Sequence, residues 1–154
     1  MTEPDLEQRL AQRVVDAMMA KDAFSQWLGV KILEVRPRQV TVSMRVRTEM
    51  VNGFGVSHGA IVYALADSAL AFASNTHGRV TVSIENSITY PQPVRVGDEL
   101  IALAEEESAS NRLGYYRVAV RRQDGVIVAL FRGTVYKTKT DFFSRENLGN
   151  VSEE

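Results

Sequence analysis

Hydrophobic spacing divides the chain into segments of two periods. Leu6, Leu10, Val14 and Met18 recur every four residues among Glu, Gln, Arg and Asp, which predicts an amphipathic helix over about residues 5–20. A short second helical turn is expected from Asp22, ending near Gly29. From Val40 to Arg47 the period becomes two: Val40, Val42, Met44 and Val46 alternate with Thr41, Ser43, Arg45 and Arg47, as in a half-buried strand. The stretch VNGFGVSHG then leads into a segment, about Ser57 to Ser74, with apolar residues on every side: Ile61, Val62, Leu65, Ala66, Ala69, Leu70 and Phe72. A helix of that kind is buried all round. Ser57 is its expected N-cap, and Gly78 suits its exit.

From Val80 the period returns to two. Val80, Val82, Ile84, Ile88 and Tyr90 are expected on one face and Ser83, Glu85 and Thr89 on the other, with Pro91 and Pro93 ending the strand. Three more strands are expected over Glu99–Glu107, Gly114–Arg122 and Val126–Lys137, the last two joined by an Asp124-Gly125 turn. The order is helix, one or two strands, one long buried helix, then four strands. Meander connections favour antiparallel pairing, so an α+β domain is expected, a curled sheet wrapped around one long central helix. One domain spans residues 1–154, with a core over about 22–138 and a polar tail over 139–154 that carries Phe142, Phe143, Leu148 and Val151. One helix cannot cover a sheet of five or six strands on both faces, and the remaining face and edges call for self-association.

Composition narrows the chemistry. The chain has no cysteine and two histidines, which excludes disulfides, thiolate metal sites, a cysteine nucleophile and a three-histidine metal site. With 18 Lys and Arg against 19 Asp and Glu there is no basic excess, so no nucleic-acid partner is expected. The N-terminal MTEPDLEQRL lacks a signal-peptide layout, and the apolar run from Gly59 to Ala73 is too short to span a bilayer. The expectation is a cytoplasmic protein with no membrane partner.

Asp67 is the one formally charged side chain between His58 and His77, set among Leu65, Ala66, Ala69 and Leu70. A buried carboxylate is costly unless bonded. It either bonds neighbouring backbone or is a poised base or nucleophile. Asn52, Ser57, His58 and Gly59 sit at the start of the long helix, where unpaired N–H groups and the positive dipole end can hold an oxyanion, or where they serve as ordinary loop and cap residues. Gly59 and Asp67 are eight residues apart, about 12 Å along the axis, and His58 lies roughly 900° of rotation from Asp67, on the opposite face. If both act in one reaction, Asp67 must meet the helix start of another subunit. Ser83 is a strand serine. Asn75 and His77 lie at the helix exit. Arg112, in SNRLG, could meet a phosphate or simply be solvated.

The segment VNGFGVSHGAIVYALADSALAFASNTHG resembles the central signature of hotdog-fold acyl-CoA thioesterases, and is most similar to the phenylacetate-degradation (PaaI-type) branch. DAFSQWLGVKI, ITYPQPVRVGDEL and ALFRGTVYK add to the resemblance, which covers roughly Met18 to Tyr136. Ala60 stands where the family usually has a second glycine. The resemblance implies a homo-oligomer, a dimer with shared sites assembled as a tetramer. It implies that Asp67 attacks the thioester or activates a water, that the Gly59 amide polarises the carbonyl, that Asn52 orients the water or thioester, and that His58 shapes the helix start. Ser83 matches a strand residue that assists hydrolysis in a related branch, and Arg112 lies where the fold often places a basic residue near the coenzyme A phosphates. It implies no metal and no redox cofactor, coenzyme A being part of the substrate.

The resulting expectation is hydrolysis of an aryl-acetyl-CoA thioester such as phenylacetyl-CoA or hydroxyphenylacetyl-CoA, with Tyr63, Phe54, Tyr90 and Asn75 shaping the acyl pocket. The alternatives are a non-catalytic acyl-CoA binding module, a hydratase or dehydratase of the same fold, and a purely structural oligomer. The His58–Asp67 spacing does not give a hydratase motif, and a structural oligomer leaves Asp67 unexplained.

Overall fold

A computed structural model describes residues 1–144; Leu148 and Val151 of the expected tail lie outside the described residues. The N-terminal helix α1 (Glu3–Lys21) opens with a capping box, in which the Thr2 side chain accepts from the Asp5 N–H and the Asp5 carboxylate accepts from the Thr2 N–H. The short helix α2 (Ala23–Leu28) follows at once. Asp22 caps it by accepting from the Ser25 N–H, and Gly29 closes it in the left-handed region at φ 84°. Strands β1 (Lys31–Arg36) and β2 (Gln39–Arg45) form a hairpin, resolving the one-or-two-strand question as two. A 3-10 turn (Thr48–Met50) and a loop then deliver the chain to the long helix α3 (Gly59–Asn75). Four strands complete the fold: β3 (Arg79–Thr89), β4 (Glu99–Ala109), β5 (Leu113–Arg122) and β6 (Ile127–Asp141).

The six strands make one antiparallel sheet in the order β1-β2-β4-β5-β6-β3. Helix α3 packs against β2, β3, β4, β5 and β6, and α1 covers α3 and β1. The core between helix and sheet is made by alternate strand residues: Val40, Val42 and Met44 from β2, Leu100, Ala102 and Ala104 from β4, Val118 and Val120 from β5, and Phe131 and Val135 from β6. The helix supplies Val62, Leu65, Ala66, Ala69, Leu70, Phe72 and Ala73. The outer face of the sheet carries exposed Ile101, Tyr115, Leu130 and Tyr136. Strand β3, eleven residues long, forms one edge.

Three local expectations are corrected. The N-cap of α3 is His58, not Ser57: the His58 Nδ1 accepts from the Ala60 N–H at 3.2 Å, while the Ser57 hydroxyl points back to the His58 carbonyl at 3.4 Å. The alternation in β3 does not run through. A bulge between Ser83 and Glu85 inserts one unpaired residue against β6, and an insertion of one residue inverts every side chain that follows. Before it, Thr81 is buried while Val82 is exposed by 47%; the bulged Ile84 is exposed by 57%; after it, Asn86 and Ile88 turn inward. The expected single face of Val82, Ile84 and Ile88 is therefore divided. Finally, β6 runs four residues beyond Lys137, to Asp141. The Phe142 N–H donates to the Gly78 carbonyl, and the Arg13 guanidinium lies 4.5 Å over the Phe143 ring, so this part of the tail is anchored.

Gly133, inward-facing on β6 and paired with Asn86, marks a close approach of helix α3 to the sheet. A Cβ there would lie 2.5 Å from the Leu70 Cδ2 and 2.8 Å from the Asn86 Oδ1. Gly133→Ala is expected to destabilise the protein by about 1–3 kcal/mol through overpacking, read as a lower urea midpoint with unchanged slope.

Candidate active site

Asp67 lies in the middle of α3, half-buried on the side that looks toward β3. Its Oδ1 accepts from the Asn86 Nδ2 at 3.4 Å, and among the described residues no hydrogen bond engages Oδ2. The same Asn86 Nδ2 donates to the Tyr63 hydroxyl at 3.0 Å, and the Asn86 Oδ1 accepts from the Ser83 hydroxyl at 3.0 Å. Tyr63 sits one turn before Asp67, with its ring edge-on to Phe131 at 5.3 Å between centroids. Ser83, expected as an assisting residue, thus reaches Asp67 through an intermediary. The intermediary, Asn86, carries no signal in the sequence, although the period of two places it with Val82, Ile84 and Ile88; the bulge is what brings Ser83 to the same side as Asn86.

Behind Asp67 a second polar chain runs into the core. The Ser25 hydroxyl donates to the Asp22 Oδ2 at 2.6 Å, and the Ser25 and Ser68 hydroxyls are 2.8 Å apart, both residues being buried. Burial raises the Asp67 carboxyl above the ordinary carboxylate range; the Asn86 bond opposes this and the negative charge of Asp22 adds to it. The result is a carboxylate more ready to take a proton than one in water.

The start of α3 is built separately. The loop before it is closed by the Val51–Ser57 bridge, by the Ser57 N–H on the Val94 carbonyl at 2.6 Å, and by the His58 N–H on the Met50 carbonyl at 2.8 Å. Asn52 organises its bend: its Oδ1 accepts from the Phe54 N–H at 2.9 Å and the Val56 N–H at 3.4 Å, and its amide N–H groups make no hydrogen bond among the described residues. In the first turn, His58 takes the Ala60 N–H through Nδ1 and the Ile61 N–H through its carbonyl. The Gly59 N–H is left without a partner among the described residues, at the positive end of a seventeen-residue helix. Tyr90 donates to the Gly59 carbonyl at 2.8 Å, and its ring would be 3.2 Å from a Cβ at position 59, so a side chain there would have to shift the Tyr90 ring by a few tenths of an ångström. Ala60 is exposed and leaves the Gly59 amide in place.

No hydrogen bond connects Asp67 with Asn52, His58 or Gly59 among the described residues, as expected from their spacing on one helix. Phe54 stands 93% exposed at the tip of the loop. Asn75, expected in the acyl pocket, is 4% exposed, and its side chain is occupied by the fold: Nδ2 donates to the carbonyls of Ala71 and Thr81, and Oδ1 accepts from the Thr81 N–H. It joins the end of α3 to β3. Arg112 is exposed in the turn between β4 and β5, where the Lys137 Nζ and Arg79 Nη1 also gather, donating to the carbonyls of Ser110 and Asn111. Among the described residues there is no cluster of three or more potential metal ligands, and no helix is long and apolar enough to cross a membrane.

A six-stranded antiparallel sheet curled around one long helix, with a lone carboxylate at mid-helix, defines the hotdog class of fold. Residues 54–129 match the Thioesterase superfamily. The chain is 33% identical over 121 residues to the acyl-coenzyme A thioesterase PaaI of Escherichia coli (strain K12), covering 79% of this chain and 86% of that one. The structure of the E. coli PaaI protein superposes with a TM-score of 0.85 at 30% identity, over 87% of this chain and 97% of the other. A mutant of the phenylacetic acid degradation protein PaaI from Thermus thermophilus gives a TM-score of 0.72 at 40% identity, over 75% and 98%. The chain belongs to the hotdog-fold acyl-CoA thioesterases of PaaI type, and is a thioester hydrolase.

A carboxyl raised in the folded state binds its proton more tightly there than in the unfolded chain. Its contribution is therefore most favourable below the unfolded value near 3.9 and is lost as pH rises through the folded value. Asp67→Asn is accordingly expected to be more stable than the wild type at pH 7, by on the order of 1 kcal/mol or less because the half-exposed group is screened by solvent. The difference should close toward pH 3. Urea denaturation of both proteins at the two pH values checks this.

Proposed function

We propose that the protein hydrolyses aryl-acetyl-CoA thioesters, such as phenylacetyl-CoA or hydroxyphenylacetyl-CoA, at a site shared between two copies of the chain. The observation that carries the catalytic assignment is the Asp67 carboxylate, anchored through one oxygen by Asn86 and open at the other. In the proposed reaction Asp67 takes a proton from water as the water oxygen bonds to the thioester carbonyl carbon, or it attacks that carbon itself to form a mixed anhydride, which water then cleaves to free the acid and restore the carboxylate. The carbonyl oxygen gains negative charge and is held by the Gly59 N–H and the dipole of α3. The C–S bond then breaks, and coenzyme A leaves as a thiolate that takes up a proton. Asn52 donates to the water or the thioester oxygen, and His58 keeps the Gly59 amide exposed by capping its neighbour. These groups supply the whole reaction as proposed; coenzyme A enters as part of the substrate.

Two features support a dimer. The Asp67 side chain and the start of α3 are not joined within one chain, and the edge strand β3 presents Val82 and Ile84 to solvent beside unpaired backbone. Pairing of two β3 edges would continue the sheet and bring each Asp67 toward a partner's helix start, with a tetramer formed by a second contact between dimers. Tyr63, Phe54 and Tyr90 offer an aromatic lining for the acyl group, and Arg112 in its cationic turn suits the phosphates of coenzyme A.

Release of coenzyme A from phenylacetyl-CoA, hydroxyphenylacetyl-CoA and straight-chain acyl-CoAs, followed with a thiol reagent, tests the proposal. Turnover of the aryl-acetyl esters is expected to exceed that of the others in kcat/KM, and folded Asp67→Asn is expected to lose about 10²–10⁴-fold in kcat. Acyl-CoA binding without thiol release from the wild type would favour a binding module instead.

A further inference from the structure

We propose that Asn86 is a positioning residue for the hydrolysis, its side-chain amide holding the Asp67 carboxylate in its working orientation and tying Tyr63 and Ser83 to it. The proposal rests on Asp67 being the catalytic carboxylate. Four observations lead to it. The bulge between Ser83 and Glu85 reverses the alternation of β3, so that Ser83 before it and Asn86 after it both turn to the side where α3 carries Asp67 and Tyr63. Without that extra residue, Asn86 would follow Ile84 outward to solvent. Asn86 then uses both ends of its amide: the nitrogen serves the Tyr63 hydroxyl and the Asp67 Oδ1, and the oxygen receives the Ser83 hydroxyl. The orientation of the amide is determined chemically, because a carboxylate accepts only, and the nitrogen is the end of the amide that can donate.

The fourth observation is the space reserved for it. Gly133 is paired with Asn86 across β3 and β6, and any side chain there would press on the amide oxygen. The sheet therefore lacks a side chain at a place where it would press on Asn86. Oδ1 of Asp67 is held while Oδ2 remains open, which is the division of labour a base or nucleophile requires: one oxygen fixes the plane of the group and the other meets the substrate. The charged and titratable groups near this carboxylate are Asp22 at the cap of α2 and Tyr63 on α3 itself; Asn86 is its one hydrogen-bond donor among the described residues.

The test uses the full-length Asn86→Leu and Asn86→Asp variants, each confirmed folded by circular dichroism. For Asn86→Leu, kcat is expected to fall about tenfold or more while KM stays within roughly threefold, because the lost contact orients the carboxylate and does not bind coenzyme A. The acid limb of kcat/KM, which reports ionisation of Asp67, is expected to move up by roughly half a pH unit or more as the donor is removed. Asn86→Asp keeps the volume and the Ser83 bond but sets a second carboxylate against Asp67, so its limb is expected to move further up; it carries the test should the leucine variant fail to fold. Carbon-13 NMR titration of the Asp67 carboxyl in wild type and variant gives a readout independent of turnover. A folded variant with wild-type kcat and an unmoved limb overturns the proposal. So does a fall in kcat with an unchanged Asp67 titration, which is the mark of a structural role. Asp67→Asn, assayed in parallel, separates the two assignments: if it keeps turnover, the catalytic role of Asp67 fails, whereas the NMR titration still decides whether Asn86 governs that carboxyl.

Discussion

A carboxylate placed in the middle of an apolar helix must either be neutralised or be held, and the structure around Asp67 is arranged to hold it. Helix α3 is surrounded by sheet on one side and by α1 on the other, so most of its surface is closed to water. The one stretch left partly open lies toward β3, and there the strand turns a polar edge inward. Asn86 stabilises the ionised form that burial disfavours, and Asp22, capping α2 nearby, pushes the other way. The balance leaves the carboxyl raised but hydrogen-bonded, a state suited to taking a proton.

That requirement propagates into the backbone. The β3 bulge, the glycine at 133 and the close approach of α3 to β6 at Leu70 form one linked arrangement, since a Cβ at 133 would strike both Leu70 and Asn86. The start of α3 is governed by a different economy of bonds. His58 and the loop around Asn52 satisfy the amides on either side of Gly59, while Tyr90 fixes the carbonyl of Gly59 and leaves its N–H exposed. Each chain thus carries a half-buried carboxylate and an unpartnered amide at separate points of one helix, the two halves of the proposed site. The hotdog architecture shared with PaaI-type thioesterases supplies the frame on which both are mounted.

Much of this was legible in the sequence because it depends on period and on caps. The buried helix, the antiparallel meander, the Asp22 and Gly29 boundaries of α2, and the isolation of Asp67 from the helix start all follow from spacing. What was not legible depends on single-residue shifts. A bulge adds one residue and leaves no signature in a strand such as VTVSIENSIT, whose apolar residues continue at even positions through Ile88. Reading straight through it places Val82, Ile84, Asn86 and Ile88 on one face and Ser83 on the other, which hides both the exposure of Val82 and Ile84 and the link from Ser83 to Asn86. Likewise Ser57 and His58 are adjacent acceptors, and the choice of cap depends on which carbonyl the loop presents. Asn75 looked available for a ligand until the turn into β3 was seen to occupy both ends of its amide. The position of β3 at the edge, next to β6, is a non-local pairing that no local pattern encodes.

In the proposed reaction the two halves of the site meet across two subunits. Mixing an Asp67→Asn protein with an Asn52→Ala protein, each inactive alone, under conditions that dissociate and reassemble the subunits tests it most directly. Random pairing makes half of the dimers mixed, and in each mixed dimer one of the two shared sites has both residues intact, so recovery of about a quarter of the wild-type activity is predicted. Activity that stays at the residual level of the two separate variants, with mixed dimers demonstrably formed, would contradict it.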